Sequence, residues 1–285
     1  MKIQTFEVPY DSGRFQERMG RGPAALMKAG LVNRLRFLGH EVATERIRVP
    51  DEFLTEIKTT FALARTLAIR IAAAREEGVL SVVLSGNCNA ALGTITGLDP
   101  SKVGVLWFDA HAEFNTPETT KSGFLDGMGL AIATGHCWRQ MADSIDGFSR
   151  LSPKNVILAG VREIEAAEQQ LLDNSGVQQI PASEIRERGM RPLLAPALAA
   201  MNRRVECMYI HFDLDVLDPS EARWNLWTPL AGLTVDEIQT GLELLAGGPP
   251  IAAVGFASYD PDIDPEASYE AARQLLDRAL ALAGA

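Results

Sequence analysis

Apolar residues form short, largely continuous runs along this chain. Five runs have the length of a β-strand: Val79–Leu84, Val103–Phe108, Asn155–Gly160, Cys207–Phe212 and Ile251–Phe256. A run that is apolar throughout, rather than at alternate positions, is typical of a parallel strand buried on both faces. The pattern therefore predicts a parallel sheet in the interior.

Helical patterns lie between these runs. A helix capped by Asp51 is expected to continue toward Glu77. The segment Thr234–Glu237 has the pattern of a capping box that opens a helix toward Leu245. Residues near Pro265 to Ala283 predict a final amphipathic helix. Because strands and helices alternate, the predicted fold is a three-layer α/β/α sandwich.

The composition is that of a globular protein with a large core. Of the 285 residues, 47% are hydrophobic and 22% are charged, so the core is expected to be stable without additional cross-links. We see no repeat, low-complexity tract or linker, and residues 1–285 are expected to form a single domain. The net charge of −10 argues against nucleic acid or an anionic membrane as the main partner, but the charge alone does not identify a partner.

The cysteines and the termini bear on the compartment. Cys88, Cys137 and Cys207 are odd in number and form no C-x-x-C pair, which favours a reducing cytoplasm over a disulfide framework. Met1–Gly13 lacks the pattern of a signal peptide. The apolar stretch Phe61–Ala74 is too short and too charged to span a membrane.

A first cluster of metal-binding residue types follows the second apolar run. Asp109, His111 and Glu113 alternate with two alanines. In an extended backbone, residues two apart point the same way, so the three side chains are expected to converge. Three such groups at the end of a buried strand are costly to desolvate unless a cation compensates them.

A second cluster ends the fourth run. His211, Asp213 and Asp215 again alternate, and Asp218-Pro219 follows. Two neighbouring carboxylates repel each other without a cation. Each cluster alone could be a solvated acidic loop, but both lie where open α/β sheets bind ligands. Long irregular loops follow both clusters, at Asn115–Gly129 and Asp218–Gly232, and such loops are often functional.

These motifs resemble those of the ureohydrolases, the superfamily of arginase, agmatinase and formiminoglutamase. The segments D-A-H-A-E-F-N-T-P and H-F-D-L-D-V-L-D-P are similar to its two metal-binding signatures. The segment V-L-S-G-N-C-N, which ends at Asn89, resembles its first signature. The resemblance runs from Leu80 to the C-terminus. It implies a mainly parallel sheet of about eight strands, flanked by helices.

The resemblance also implies a centre of two divalent metal ions, expected to be Mn²⁺. Asp109 and Asp213 would bridge the ions, and a metal-bound hydroxide would attack an amidine carbon. The ligands of the two ions would be completed by His111 and Asp215 on one side, and by Glu113 and Cys88 on the other. Family members assemble as trimers or hexamers, so a homo-oligomer is expected.

Four positions depart from the family pattern. Cys88 stands at a histidine ligand, and if its thiolate binds metal, Zn²⁺ or Fe²⁺ becomes an alternative to Mn²⁺. Glu113 replaces an aspartate, and Asp126 stands where arginases carry a proton-shuttling histidine. Ser258 replaces the glutamate that clasps a guanidinium ion; nearby aspartates, at positions 260, 262 and 264, are candidates to substitute for it. A branch of the family that acts on N-hydroxyarginine resembles this chain in carrying cysteine at the first position.

Other positions match the arginase side of the superfamily. The resemblance implies that Asn115 and Ser122 contact an α-carboxylate and that Glu165 lies near an α-amino group. For Asp126, three roles remain open: a general acid, which requires a raised pKa, a contact to a cationic substrate, or a loop carboxylate. For His211, the sequence leaves two roles open: orienting a carboxylate, or a histidine satisfied by the backbone.

Two functions follow from these patterns. The first is a two-metal hydrolase that cleaves a C–N bond of an amidine or modified guanidine on an amino-acid-like substrate. The alternative is a non-catalytic or single-metal paralogue that binds a small molecule. Metal content discriminates between them.

Overall fold

The computed structural model describes residues 1–49 and 55–284. Its ten strands, in chain order, are β1 (Lys2–Val8), β2 (Tyr10–Asp11), β3 (Arg14–Phe15), β4 (Glu41–Arg46), β5 (Leu80–Ser85), β6 (Val103–Phe108), β7 (Val156–Ala159), β8 (Gln178–Ile180), β9 (Cys207–Asp213) and β10 (Ile251–Ala257).

Eight of the strands form one sheet in the order β4-β1-β5-β10-β9-β6-β7-β8, and every neighbouring pair is parallel. β2 and β3 pair separately as a short antiparallel hairpin. The predicted parallel sheet of about eight strands is therefore confirmed. Three of its strands, β1, β4 and β8, have no counterpart among the five predicted runs.

The α-helices within the described residues are α1 (Gly22–Ala29), α2 (Leu31–Phe37), α3 (Glu56–Glu76), α4 (Ala90–Gly97), α5 (Gly129–Ala133), α6 (Arg139–Ala142), α7 (Ala166–Ser175), α8 (Ala182–Arg188), α9 (Met190–Met201), α10 (Val235–Glu243) and α11 (Pro265–Ala283). Short 3₁₀ turns lie between some of them; two of these turns, Asp126–Met128 and Leu214–Val216, belong to the site described below.

The sheet is buried on both faces because alternate residues of its strands enter two separate cores. In β6, Leu106 and Phe108 pack into one core, while Val105 and Trp107 pack into the other. Both cores consist of side chains that are almost fully buried. This arrangement explains why the central strands read as continuous apolar runs, and it confirms the three-layer α/β/α fold.

Helix ends largely follow the predicted signals. Thr234 and Glu237 make both reciprocal hydrogen bonds of a capping box, and the last helix covers the predicted residues. Asp51, the predicted cap of the long third helix, lies outside the described residues. The cap observed there is Thr55, whose hydroxyl accepts a hydrogen bond from the backbone N–H of Lys58 at 3.2 Å. Within the described ranges, no helix is both long enough and apolar enough to cross a membrane.

Candidate metal centre

Four neighbouring strands end at the candidate site. They are β5, β10, β9 and β6, the centre of the sheet. The side chains of interest directly end or follow them: Cys88 after β5, Asp109 after β6, Asp213 at the end of β9, and Ser258 after β10. Because all four strands are parallel, their carboxyl ends meet on one edge, where open α/β sheets bind ligands.

The cluster after β6 converges as predicted, but for a different reason. Asp109, His111 and Glu113 offer ligand atoms that lie within 4.8 Å of one another. The strand ends at Phe108, however, and Glu113 has a φ of +52°. The prediction of an extended backbone through Glu113 is therefore wrong: a turn into the left-handed region, unusual for a residue with a side chain, swings this carboxylate into the site.

The cluster at the end of β9 turns in a similar way. Asp213 is the last residue of the strand, and Asp215 lies in a 3₁₀ turn that Asp213 caps, with its Oδ1 accepting from the Asp215 N–H at 3.1 Å. Asp215 Oδ1 accepts from the backbone N–H of Ala110 at 3.1 Å, and its Oδ2 lies 3.0 Å from His111 Nδ1. These contacts join the two clusters directly.

The joined clusters place several carboxylates in one buried space. Ligand oxygens of Asp109, Asp213 and Asp215 lie within 4.8 Å of one another. Burial and the charge of Asp215 raise the pKa of Asp109 to about 6, and burial followed by the same neighbour raises the pKa of Asp213 well above its ordinary value. Burial and the charge of Asp126 do the same to the pKa of Glu113. Such mutual repulsion is relieved by a bound cation.

His111 and Asp215 behave as an ion pair. Burial alone would lower the pKa of His111, but the carboxylates of Asp215 and Asp109 outweigh it and raise that pKa well above its ordinary value. Burial alone would raise the pKa of Asp215, but His111 lowers it. The imidazole nitrogen that faces Asp215 is thus oriented toward the carboxylates with which it would share a metal ion.

Cys88 lies beneath these carboxylates and is fully buried. Its Sγ is 3.4 Å from Asp213 Oδ2 and 3.9 Å from Asp109 Oδ2. Burial and the charge of Asp213 raise the pKa of the thiol well above its ordinary value. A thiol held among carboxylates becomes a thiolate only with a cation to balance its charge.

His211 also points into the site. Its Nε2 lies 3.3 Å from Cys88 Sγ, and its Nδ1 lies 2.7 Å from the hydroxyl of Tyr209. The interpretation of His211 as a histidine satisfied by the backbone is therefore wrong, because side chains face both ring nitrogens. The orienting role is also modified, since the observed neighbour is a thiol rather than a carboxylate. Burial lowers the pKa of His211 to about 3, so the ring is neutral.

The grouping of candidate ligands differs in part from the one that the resemblance implies. Glu113 converges with Asp109 and His111, whereas Cys88 converges with Asp109 and His211. Glu113 Oε2 is buried and has no hydrogen-bond partner within the described part of the chain. A buried carboxylate oxygen without a partner, among other carboxylates, fits a cation as its missing partner. The donor set, which combines carboxylate oxygens with an imidazole and a thiol, suits a divalent transition metal.

Asp126 lies in the 3₁₀ turn at the end of the first long loop. Its Oδ1 accepts a hydrogen bond from the backbone N–H of Cys88 at 2.9 Å. Burial and the charge of Asp11 raise its pKa well above the ordinary value. Asp126 therefore touches the turn that carries Cys88 and also faces the open space above the carboxylates.

That open space is a cavity of about 590 Å³, large enough for an amino-acid-sized ligand. Its wall contains the predicted substrate contacts Asn115, Ser122, Glu165 and Ser258, together with Asp126. Glu165 also caps α7 through a capping box, and its Oε2 is buried without a hydrogen-bond partner among the described residues.

The aspartates near the changed guanidinium-clasping position do not take over that position. The side chains of Asp260 and Asp262 pair with Arg21, and the Asp264 carboxylate accepts from the backbone N–H of Arg223. These three aspartates are not among the residues that line the cavity, whereas Ser258 is. The hypothesis that they substitute for the glutamate is therefore wrong.

Sequence reasoning missed several residues that shape the site. Trp107 Nε1 donates to Asp109 Oδ2 at 2.8 Å, and the guanidinium of Arg162 donates to carbonyl groups around Asp215. Asp11 and Arg18, from the N-terminal segment, line the cavity. Trp107 lies in the predicted run Val103–Phe108, two residues before Asp109, and its position before the first acidic cluster could have indicated it. The N-terminal pair has no such local signal.

Comparison with known proteins identifies relatives over nearly the whole chain. The pattern that defines the Arginase family matches residues 1–281. An arginase of Bacillus caldovelox is 30% identical over 276 residues, which cover 92% of each chain, and an arginase of Bacillus subtilis (strain 168) is 28% identical over 274 residues, or 92% of this chain and 91% of the relative. A crystal structure of arginase from Bacillus subtilis superposes with a TM-score of 0.88 at 26% identity and covers 98% of both chains.

Proposed function

This chain belongs to the arginase family, and from that premise we propose that it is a metal-dependent hydrolase. Its reaction is cleavage of a C–N bond in an amidine or modified guanidine carried by an amino-acid-like substrate. The observation that carries this proposal is the convergence of ligand oxygens of Asp109, Asp213 and Asp215 within 4.8 Å of one another, with Asp213 and Asp215 lining the cavity. Carboxylates in this arrangement can bind divalent cations between them and can attract a cationic ligand into the adjoining cavity.

We propose that the metal ligands are the residues that stand at the ligand positions of the family pattern, including the two that depart from it in residue type. They are Cys88, Asp109, His111, Glu113, Asp213 and Asp215. Two ions, expected to be Mn²⁺, would supply Lewis acidity and make a water molecule reactive near neutral pH. If Cys88 binds as a thiolate, Zn²⁺ or Fe²⁺ is the alternative metal.

The amino-acid end of the substrate has a set of polar contacts on the cavity wall. Asn115 and Ser122 offer an amide and a hydroxyl to an α-carboxylate, and Glu165 offers a carboxylate to an α-amino group. The unpartnered Oε2 of Glu165 supports this role, because an ammonium group would satisfy it. These contacts would hold the head group of the substrate over the metal ligands in one orientation, which favours the reaction.

The head-group end favours a less basic group than free guanidinium. Ser258 is buried beside Cys88, with its Oγ 3.6 Å from Sγ, and its neutral hydroxyl cannot pair with a cation as a carboxylate does. An N-hydroxyguanidine, which is less basic and adds an oxygen, suits this environment. Asp126, whose pKa is raised by burial and Asp11, can hold a proton for a leaving amine.

The proposal is tested by incubating metal-loaded protein with arginine, N-hydroxyarginine, agmatine, guanidinobutyrate and formiminoglutamate. We expect a urea-like product or ammonia from at least one of them, with N-hydroxyarginine turned over faster than arginine. Asp213→Asn, which removes a proposed bridging ligand, is the inactive control. Cys207→Ser, at the start of β9 and so at the opposite end of that strand from Asp213, is the matched active control. Release from none of the five substrates would refute the proposal.

Elemental analysis separates the proposal from its alternatives. Two tightly held ions per chain support the hydrolase, and one ion supports a single-metal enzyme. A chain that retains no ion under metal-saturating conditions is a non-catalytic binding protein.

Two further expectations belong to the proposal. We expect a homo-oligomer, a trimer or hexamer, and a cytoplasmic location. Light scattering coupled to size-exclusion chromatography measures the first, and cell fractionation measures the second.

A further inference from the structure

We propose that His211 is a positioning residue for the sulfur ligand, with its Nε2–H group donating a hydrogen bond to the thiolate of Cys88. The proton position on the imidazole is fixed by Tyr209 on the far side of the ring. This inference rests on the proposed function, because it requires Cys88 to bind metal.

The three side chains form a continuous buried chain. The Tyr209 hydroxyl lies 2.7 Å from His211 Nδ1, and His211 Nε2 lies 3.3 Å from Cys88 Sγ. All three residues are at most 1% exposed, so water does not compete for these contacts. Tyr209 and His211 are two apart on β9 and therefore lie on the same face of the sheet.

The neighbouring strands make room for this chain and hold it. A Cβ atom on Gly255 of β10 would lie 2.4 Å from the Tyr209 hydroxyl, so only glycine leaves space for the phenol there. On β6, Trp107 stacks on the imidazole with ring centroids 3.8 Å apart and planes 29° apart. The ring of His211 is thus fixed in position before any metal binds.

The order of donors decides the role of His211. A thiolate can only accept a hydrogen bond, so the contact of His211 Nε2 with Cys88 Sγ requires a proton on Nε2. Nδ1 is then left to accept from the Tyr209 hydroxyl, which also has Thr94 as a hydrogen-bond partner. A neutral imidazole that accepts at Nδ1 carries its proton on Nε2. That nitrogen then donates to sulfur and has no lone pair for a metal, so His211 orients the ligand and is not itself a ligand.

The hydrogen bond from His211 would compensate part of the negative charge of a Cys88 thiolate, which lies among carboxylates. A hydrogen bond to sulfur stabilises its negative charge and weakens electron donation to the metal. In the metal-free protein the thiol donates toward Asp213 and Asp109, whose oxygens lie 3.4 and 3.9 Å from Sγ, so a metal ion shared with these carboxylates would take the place of the thiol proton. We therefore expect the Cys88–His211 pair to act as one unit in place of a histidine ligand.

The test uses full-length protein loaded with Co²⁺, whose thiolate complexes show a sulfur-to-metal charge-transfer absorption in the near ultraviolet. His211→Leu removes the N–H donor and replaces the imidazole with an apolar side chain that can still pack against Trp107. His211→Gln retains an N–H donor at a similar reach. Tyr209→Phe removes only the hydroxyl that fixes the proton. His136→Leu is the matched control, because His136 pairs with the Thr134 hydroxyl at 2.9 Å.

We expect the absorption to move to longer wavelength in His211→Leu, since a thiolate without its hydrogen bond donates electrons more readily. Tyr209→Phe should move it less in the same direction, and His211→Gln should restore much of the wild-type position. The His136→Leu band should not move. Both ions should remain bound in every variant at saturating Co²⁺.

Three results would overturn the inference. The first is an unmoved band in both His211→Leu and Tyr209→Phe. The second is loss of one bound ion in His211→Leu, which would make His211 a ligand. The third is a wild-type Co²⁺ protein without a thiolate band, which would remove Cys88 from the ligands. The substrate panel decides hydrolase activity separately, so failure of this inference and failure of the proposed function remain distinguishable.

Discussion

The carboxylate of Asp126 accepts a hydrogen bond from the backbone N–H of Cys88, with 2.9 Å between N and Oδ1. The two residues are 38 positions apart and belong to different turns above the sheet. The contact fixes the turn that carries the thiol to the loop that carries the cavity wall. A substitution of Asp126 should therefore change metal binding as well as substrate turnover.

Asp126→Ala is predicted to lower metal affinity by about 10-fold, the lower range for residues that orient a metal ligand. Asp126→Asn should keep normal metal content, because its amide oxygen can accept the same hydrogen bond, but should lower kcat by removing a proton donor. Titration calorimetry and steady-state kinetics measure the two effects. Glu118→Ala, an exposed residue of the same loop, is the control; equal affinities of Asp126→Ala and wild type would contradict the prediction.

A carboxylate at position 258 is predicted to change the head-group preference. Ser258→Glu places a negative charge at the cavity wall, where it can pair with a guanidinium ion. We expect kcat/KM for arginine to rise relative to that for N-hydroxyarginine by about 10-fold or more. Ser258→Gln, which has similar size and no charge, is the control, and an equal shift in both variants would show that charge is not the cause.

Cys88→His is predicted to destabilise the protein because the space around Sγ is already filled. His211 Nε2 lies 3.3 Å and Asp213 Oδ2 lies 3.4 Å from that atom. We expect overpacking to lower the free energy of unfolding by about 1–3 kcal/mol. The second change His211→Ser should relieve most of this loss, and chemical denaturation of the two single variants and the double variant measures the coupling. Purely additive effects would be inconsistent with shared space.

Arg162 is predicted to hold the backbone behind the metal ligands. Its guanidinium donates to the carbonyl oxygens of Asp215 at 2.7 Å and Pro229 at 2.8 Å, and to four further carbonyls. Arg162→Met would leave these carbonyls without their donor and should lower the free energy of unfolding by about 2–4 kcal/mol. Arg162→Lys should recover only part of the lost unfolding free energy, because a lysine ammonium lacks the planar array of N–H donors of a guanidinium group. Denaturant titration of both variants decides the point.

The stabilisation by metal is predicted to grow with pH. In metal-free protein, Asp109 has a pKa raised from 3.8 to about 6 by burial and by Asp215, so the unfolded chain loses this proton first. Stability from Asp109 is therefore full below 3.8 and is lost as the pH rises to about 6. Metal binding requires the ionised form and opposes this loss. Melting temperatures with Mn²⁺ and with a chelator should diverge as the pH rises; a constant difference between them would contradict the prediction.

Several elements were predictable because their signals are local. The apolar run of β6 and the last helix have the observed bounds, and the Thr234–Glu237 capping box forms both of its hydrogen bonds. The alternating acidic motifs also located the candidate site at the carboxyl end of the sheet. The edge strand β4, in contrast, was missed because most of its side chains are exposed and it contains no apolar run.

The sequence by itself determined the architecture, the family and the identity of the candidate ligands, since periodicity, caps and motifs are encoded by neighbouring residues. Only the tertiary structure decided how those ligands are supported. The left-handed turn at Glu113, the pairing of His211 with Cys88 and the hydrogen bond from Cys88 to Asp126 all depend on where separate strand ends meet. The physical reason is that a side chain's partners are set by the packing of elements distant in sequence, which local patterns do not encode.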